Sequence, residues 1–241
     1  MIHTLQSIPV DQLELYVFDL DGTLVDSALD LANSVNATLT HLQMSTLPVE
    51  VGASFVGNGV PLLLRRALGR VLGQEPDAVD AALFERALNF FLPYYEQHML
   101  ENTNLYAGAA EALAALQAAG QKPGAKKKTL AICTNKPEKH SVGICKALGI
   151  DGYFLRVYGG DTFATRKPDP EGLLKLIAEA GATPAATVMI GDSKGDVQVA
   201  RNANTWSLGC LFGFGPQNLL EASPDVWVDS AKDWTSILLP E

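Results

Sequence analysis

The sequence predicts an α/β fold, a doubly wound (Rossmann-like) parallel sheet core with an inserted all-helical cap domain. Three observations carry this reading. Short, continuous apolar runs recur along the chain, as strands buried on both faces require. Helical segments with glycine at their C-terminal ends lie between most of these runs, as the crossovers of a parallel sheet do. A long stretch after the first strong run holds helical patterns but no β-rich run.

The strand runs are Leu15 to Phe18, Thr129 to Cys133, Phe154 to Tyr158, Thr187 to Ile190, Ser207 to Phe212 and Val226 to Val228. Between them, Glu111 to Ala119, Pro137 to Leu148, Pro170 to Ala180 and Asp196 to Ala203 read as helices, with Gly120, Gly149 and Gly181 placed to end three of them. The first run ends abruptly in Asp19-Leu-Asp-Gly-Thr23. From Ser27 to about residue 100 the chain is too long for one crossover helix. Ala28, Leu31, Ala32, Val35, Leu39 and Leu42 recur there at helical spacing, and Pro61 to Leu72 and Asp77 to Met99 are also expected helices, the last kinked at Pro93. The expected division is therefore residues 1–26 with 101–241 as the catalytic core and residues 27–100 as the cap.

Composition narrows the class of function. In 241 residues, 47% are hydrophobic and 19% charged, which excludes a disordered chain. Eighteen Lys and Arg against 27 Asp and Glu give a net charge of −9, which argues against nucleic acid and anionic membranes as partners. Cys133, Cys145 and Cys210 form no CxxC pair, so no disulfide framework or structural zinc site is expected and a reducing compartment fits. The first residues carry neither the basic flank nor the apolar core of a signal peptide, and the expected localisation is cytoplasmic.

In an open α/β sheet, ligands gather at the carboxyl ends of the strands. Three runs end there in polar residues: Asp19 and Asp21, Thr134 and Asn135, and Asp192. A carboxylate can attack a phosphoryl group to form an aspartyl phosphate, and a second one two residues on can act as acid and then base. Asp19 and Asp21 have that spacing. Clustered carboxylates facing a phosphate dianion need a divalent cation, and hard oxygen ligands point to Mg2+, with Asp19 and Asp192 as ligands. Lys167, in the polar loop Thr165 to Pro170, is placed to reach nucleophile and phosphoryl oxygens.

Asp19-Leu-Asp-Gly-Thr23, Thr134-Asn135, Lys167-Pro168 and Gly191-Asp-Ser-Lys-Gly-Asp196, in that order, resemble the four motifs of the haloacid dehalogenase superfamily. The resemblance implies Asp19 as nucleophile and Asp21 as acid/base. It places Thr134, Asn135 and Lys167 on the phosphoryl group, and Asp192 on Mg2+ with the Asp19 carboxylate and the Asp21 backbone carbonyl. Asp196 would support the metal through water, with Ser193 beside it. Phe55-Val-Gly-Asn-Gly59 and Leu64-Arg-Arg-Ala-Leu68 are similar to the specificity loop and adjoining cap helix of the phosphoglycolate phosphatase group, as is Gly159-Gly-Asp161 to its third-strand loop. Gly57, Asn58, Gly59 and Arg65 are accordingly candidate specificity residues, one of Arg65 and Arg66 being expected to face solvent. Lys194-Gly195, inside the fourth motif, and the lengthened loop Lys122 to Lys128 depart from the family pattern and leave the catalytic assignment intact.

The expected activity is Mg2+-dependent hydrolysis of a small phosphorylated metabolite, 2-phosphoglycolate first, with a broad sugar-phosphate or nucleotide phosphatase as the enzymatic rival. A phospho-accepting signalling or binding module is the rival of another class, opposed by Asp21 and by the large cap. A dehalogenase would lack Asp21, and a phosphonate hydrolase would use a cap lysine, of which Ser27 to Leu100 has none. Cys133 lacks the arginine of a cysteine phosphatase six positions on, where Lys139 stands. Gly213-Phe-Gly215 is set aside as a dinucleotide loop because Asn218 replaces the third glycine. No P-loop motif occurs. His41 and His98 have no companions at metal-ligand spacing, and Lys126 to Lys128 read as a solvated loop.

Overall fold

A computed structural model describes residues 1–57, 59–122 and 126–240. The chain forms two compact units, one of Met1–Val25 with Leu105–Glu241, the other of Asp26–Asn104. The helical unit thus begins one residue before the expected cap and ends four residues after it.

Nine strands are present among the described residues: β1 (Ile2–Thr4), β2 (Leu15–Phe18), β3 (Val25–Asp26), β4 (Asn104–Leu105), β5 (Thr129–Cys133), β6 (Phe154–Tyr158), β7 (Thr187–Gly191), β8 (Trp206–Cys210) and β9 (Val226–Val228). Seven make one sheet in the order β1-β9-β8-β7-β2-β5-β6. All neighbours run parallel except β1, which pairs antiparallel with β9. Strand β1 was not expected, since Ile2-His-Thr4 carries no continuous apolar run. The short strands β3 and β4 pair with each other where the chain leaves and re-enters the sheet unit.

The central strand β2 shows why these residues make this sheet. Leu15 and Val17 point to one face and join Ala131, Cys133, Met189, Leu173, Leu176 and Val199 in a buried cluster. Tyr16 and Phe18 point to the other, as the two-residue period requires. There Phe18 meets the Trp234 ring at 5.4 Å between centroids, and Tyr16 Oη donates to the Leu238 carbonyl at 3.1 Å. All four residues of β2 are buried, which explains the unbroken apolar run. The helices α5 (Ala109–Ala119), α6 (Glu138–Ala147), α7 (Glu171–Ala180) and α8 (Lys194–Asn202) match the expected crossovers within two residues at every end. The short α9 (Pro216–Glu221) and α10 (Trp234–Leu238) were not expected.

The helical unit holds α1 (Ala28–His41), α2 (Val49–Ala53), α3 (Val60–Leu72) and α4 (Ala81–His98). Their buried residues follow the helical period: Leu31, Val35 and Leu39 in α1, Leu64 and Leu68 in α3, Ala87, Phe91 and Tyr95 in α4. The last expected helix begins late because Asp80 caps it, accepting from Leu83 N at 2.9 Å. It then continues through Pro93 to His98. No described helix is long and apolar enough to cross a membrane.

Candidate active site

Topology places the site before any side chain is considered. From β2 the chain builds outward on one side through β5 and β6, then crosses back to lay β7 on the other side of β2. The order therefore reverses between β2 and β7, the switch point where loops diverge and leave a crevice. Register keeps the strand ends level, since Phe18 pairs with both Ile132 and Ile190. Asp19 follows β2 and Asp192 follows β7, and Asp19 N donates to Ile190 O at 2.8 Å across the switch point.

Asp19, Asp192 and Asp196 are buried and bring carboxylate oxygens within 4.8 Å of one another. Lys167 Nζ lies 3.1 Å from Asp19 Oδ1 and 2.6 Å from Asp196 Oδ1. Burial pushes the Asp19 carboxyl up to about 6 against the pull of Lys167, with Asp196 adding to the rise and the Thr134 hydroxyl bond opposing it. Burial, then the charges of Asp19 and Asp196, hold Asp192 well above the usual carboxylate range. For Lys167, burial favours the neutral amine, but the Asp19 and Asp196 carboxylates outweigh it and raise the lysine.

Two glycines make room for this packing. At Gly22, with φ of 81°, a Cβ would stand 2.2 Å from Asp192 Oδ2, and at Gly213 one would stand 2.2 Å from Asp192 Cβ. The Gly213-Phe-Gly215 turn that sequence reasoning set aside therefore belongs to the site, and Phe214 N donates to Asp192 Oδ2 at 2.7 Å. Ser193 acquires a definite role as N-cap of α8, where it forms a capping box with Asp196. Asp196 Oδ2 accepts from Ser193 N at 3.0 Å and Ser193 Oγ at 2.6 Å, while Oδ1 meets Lys167, so both its oxygens are engaged by protein.

The remaining motif residues lie after β5. Thr134 hydrogen-bonds Asp19 and accepts from Lys136 N at 3.2 Å. Asn135 Nδ2 donates to the Lys167 carbonyl at 3.2 Å, tying two motifs together, and its Oδ1 is buried without a donor among the described residues. Sequence reasoning stopped at Asn135 and missed Lys136, whose Nζ lies 3.1 and 3.0 Å from the two carboxylate oxygens of Asp21. The signal was present: a lysine in line with the polar strand end, before Pro137 opens a helix.

In the helical unit, Asn58 lies outside the described residues. Gly57 and Gly59 take φ of 114° and 84°, as a tight loop before α3 demands. Arg65 stacks over the Phe84 ring at 4.4 Å and donates to Val79 O at 3.4 Å. Arg66 donates to Phe55 O at 3.0 Å.

The doubly wound sheet thus gathers three buried carboxylates and a buried lysine at its switch point. The haloacid dehalogenase-like hydrolase family model matches residues 16–210, and the chain belongs to that family. A phosphoglycolate phosphatase of Agrobacterium fabrum is 38% identical over 215 residues, 89% of this chain and 88% of its own. One from Colwellia psychrerythraea is 40% identical over 207 residues, covering 85% and 87% respectively. The crystal structure of a predicted phosphoglycolate phosphatase from Haemophilus somnus 129pt matches with a TM-score of 0.84 at 30% identity, over 94% of this chain and 98% of that one.

Proposed function

We propose that this chain hydrolyses small phosphomonoesters through an aspartyl phosphate on Asp19, with 2-phosphoglycolate as the substrate. The observation that carries the reading is the buried group of Asp19, Lys167, Asp192 and Asp196 at the switch point. An Asp19 oxygen attacks phosphorus, the bond from phosphorus to the ester oxygen breaks, and Asp21 gives its proton to that oxygen as the alcohol leaves. Asp21 then takes a proton from water as the water oxygen attacks phosphorus, releasing phosphate and restoring the Asp19 carboxylate. Lys167 and Thr134 stabilise the oxygens that gain charge. The substrate rests on the relatives named above, which carry the name phosphoglycolate phosphatase at 38% and 40% identity.

The donor set fits Mg2+. Three buried carboxylates face one lysine there, and hard oxygens in excess of positive charge suit a small divalent cation. Asp19 and Asp192 would hold it with the Asp21 backbone carbonyl, and the full engagement of Asp196 by Lys167 and Ser193 supports a role for it behind the ligands. Bound there, Mg2+ supplies neutralisation of the carboxylates and of the phosphoryl oxygens. The helical unit is proposed as a cap that excludes water and selects the leaving group.

Phosphate release from 2-phosphoglycolate, sugar phosphates, nucleotides and pyrophosphate, with Mg2+ and with EDTA, tests the reading. Turnover should favour 2-phosphoglycolate, vanish with EDTA and fall by roughly 10^4-fold or more in Asp19→Asn. Even turnover across the panel would keep the mechanism and remove the substrate. Activity that survives in Asp19→Asn would remove the mechanism.

A further inference from the structure

Two lysines are buried at the carboxyl edge of the sheet, Lys136 and Lys167, each with a side chain 3% exposed. Burying an ammonium is costly unless an anion is paired with it, and each has one. Lys167 stands against Asp19 and Asp196, while Lys136 grips both oxygens of Asp21 at 3.1 and 3.0 Å. The two cations therefore pair with different acids of the site. On the phosphomonoesterase reading above, Asp19 attacks phosphorus and Asp21 meets the departing oxygen, so Lys167 belongs to the nucleophile and Lys136 to the leaving group. The transferring phosphoryl already has Lys167. A second buried cation, paired with Asp21, meets further substrate charge only when the leaving group carries it.

We propose that Lys136 determines specificity by binding an anionic group, a carboxylate above all, carried by the leaving group one carbon from the ester oxygen. The inference rests on the phosphomonoesterase reading and assigns the substrate class to a residue of the sheet unit. Reach supports it: an ester oxygen hydrogen-bonded to Asp21 stands roughly 3 Å from that carboxylate, and a carboxylate one carbon beyond lies within range of an ammonium already touching Asp21. An ammonium with rotatable donors can keep one bond to Asp21 and turn another to the incoming anion. In the helical unit, Arg65 donates to Val79 O and Arg66 to Phe55 O.

The test compares 2-phosphoglycolate with ethyl phosphate, which has the same two carbons and no carboxylate, in wild type, Lys136→Met, Lys136→Gln and Lys136→Arg with saturating Mg2+. Thermal melting shows which variants fold; Gln keeps a donor to Asp21 should Met fail. The expected result is a loss of kcat/KM at least tenfold greater on 2-phosphoglycolate than on ethyl phosphate, carried mainly by KM, with Arg regaining most of the preference. Equal losses on both esters, or a loss confined to kcat, would show that Lys136 only holds Asp21 and overturn the proposal. If wild type turns over neither ester, the phosphatase reading itself has failed, and calorimetric titration with glycolate decides the anion site separately. Binding at least tenfold weaker in the folded variant keeps that site. Equal binding, or none in wild type, removes it.

Discussion

Asp30 in the helical unit and Asp192 in the sheet unit are buried alike, each 1% exposed, in opposite surroundings. Asp30 accepts from Asn102 N and Nδ2 and from Thr103 N and Oγ1 at 2.8–3.0 Å. The carboxylate at the start of α1 is thus satisfied by the far end of the same insertion, and it clasps that unit shut. Asp192 accepts from Phe214 N at 2.7 Å and weakly from Thr23 Oγ1 at 3.5 Å, and otherwise faces the carboxylates of Asp19 and Asp196. A buried acid surrounded by donors builds structure. Buried acids gathered against one another form a site that favours a cation, and the cost of that gathering is met by the rest of the fold.

The largest effect expected from breaking this contrast is at Lys167. Lys167→Met removes the ammonium that, among the described residues, is bonded to Asp19 and Asp196 and leaves them uncompensated, which for a buried pair costs about 3–5 kcal/mol. At roughly 2–4 °C per kcal/mol for a chain of this size, the melting temperature should fall by about 6–20 °C, and phosphate release should be lost with it. Added Mg2+ should recover part of the melting temperature and none of the turnover. A variant that melts within about 2 °C of wild type in EDTA would show that the carboxylates need no compensation.

The next effect is in the helical unit. Asp30→Asn keeps the size of the side chain but turns one oxygen into a donor facing the donors of Asn102 and Thr103, a loss of about 1–3 kcal/mol. Hydrogen exchange should rise across residues 26–104 and stay protected in β2 and β7. Faster exchange in those strands instead would mean that Asp30 supports the sheet and not its own unit.

The same contrast explains what the sequence disclosed. The strands of the sheet unit were legible because β2 and β7 are buried on both faces, which leaves uninterrupted apolar runs ending in Asp19 and Asp192. The motif residues that gather at the strand ends were legible because residue type and strand-end position coincide there. Lys136 was not, since its meaning comes from a partner 115 positions away that only parallel pairing of β2 and β5 brings near. The Gly213 turn escaped for a related reason: its glycine answers to Asp192 across space and not to any local pattern. In the helical unit, periodicity gave the helices, but Arg65 and Arg66 are adjacent on one helix and only packing decides that one lies over Phe84 and the other beside Phe55. The clasp at Asp30 likewise joins residues 72 positions apart.

The smallest effect has the opposite sign and draws the contrast most sharply. Asp192 and Asp19 hold their protons more tightly folded than unfolded, with Asp19 pushed up to about 6. Where the native state binds more protons than the unfolded one, stability falls as pH rises, here from about 4 through about 6 and beyond. Asp192→Asn deletes that liability while an amide oxygen can still accept from Phe214 N. In EDTA at about pH 7.5 the variant should melt some 2–8 °C above wild type, for a gain of about 1–2 kcal/mol. The two curves should converge near pH 4, where the wild-type carboxyl is already protonated. Mg2+ should raise wild type at the higher pH and leave the variant nearly unmoved, because the stabilisation by a ligand follows its affinity for the native state. Thermal melts at both pH values, with and without Mg2+, check all three outcomes. If Asp192→Asn instead lowers the melting temperature in EDTA, as Asp30→Asn should, then Asp192 is held by its donors like any structural acid, and the case for a cation at this cluster loses its physical basis.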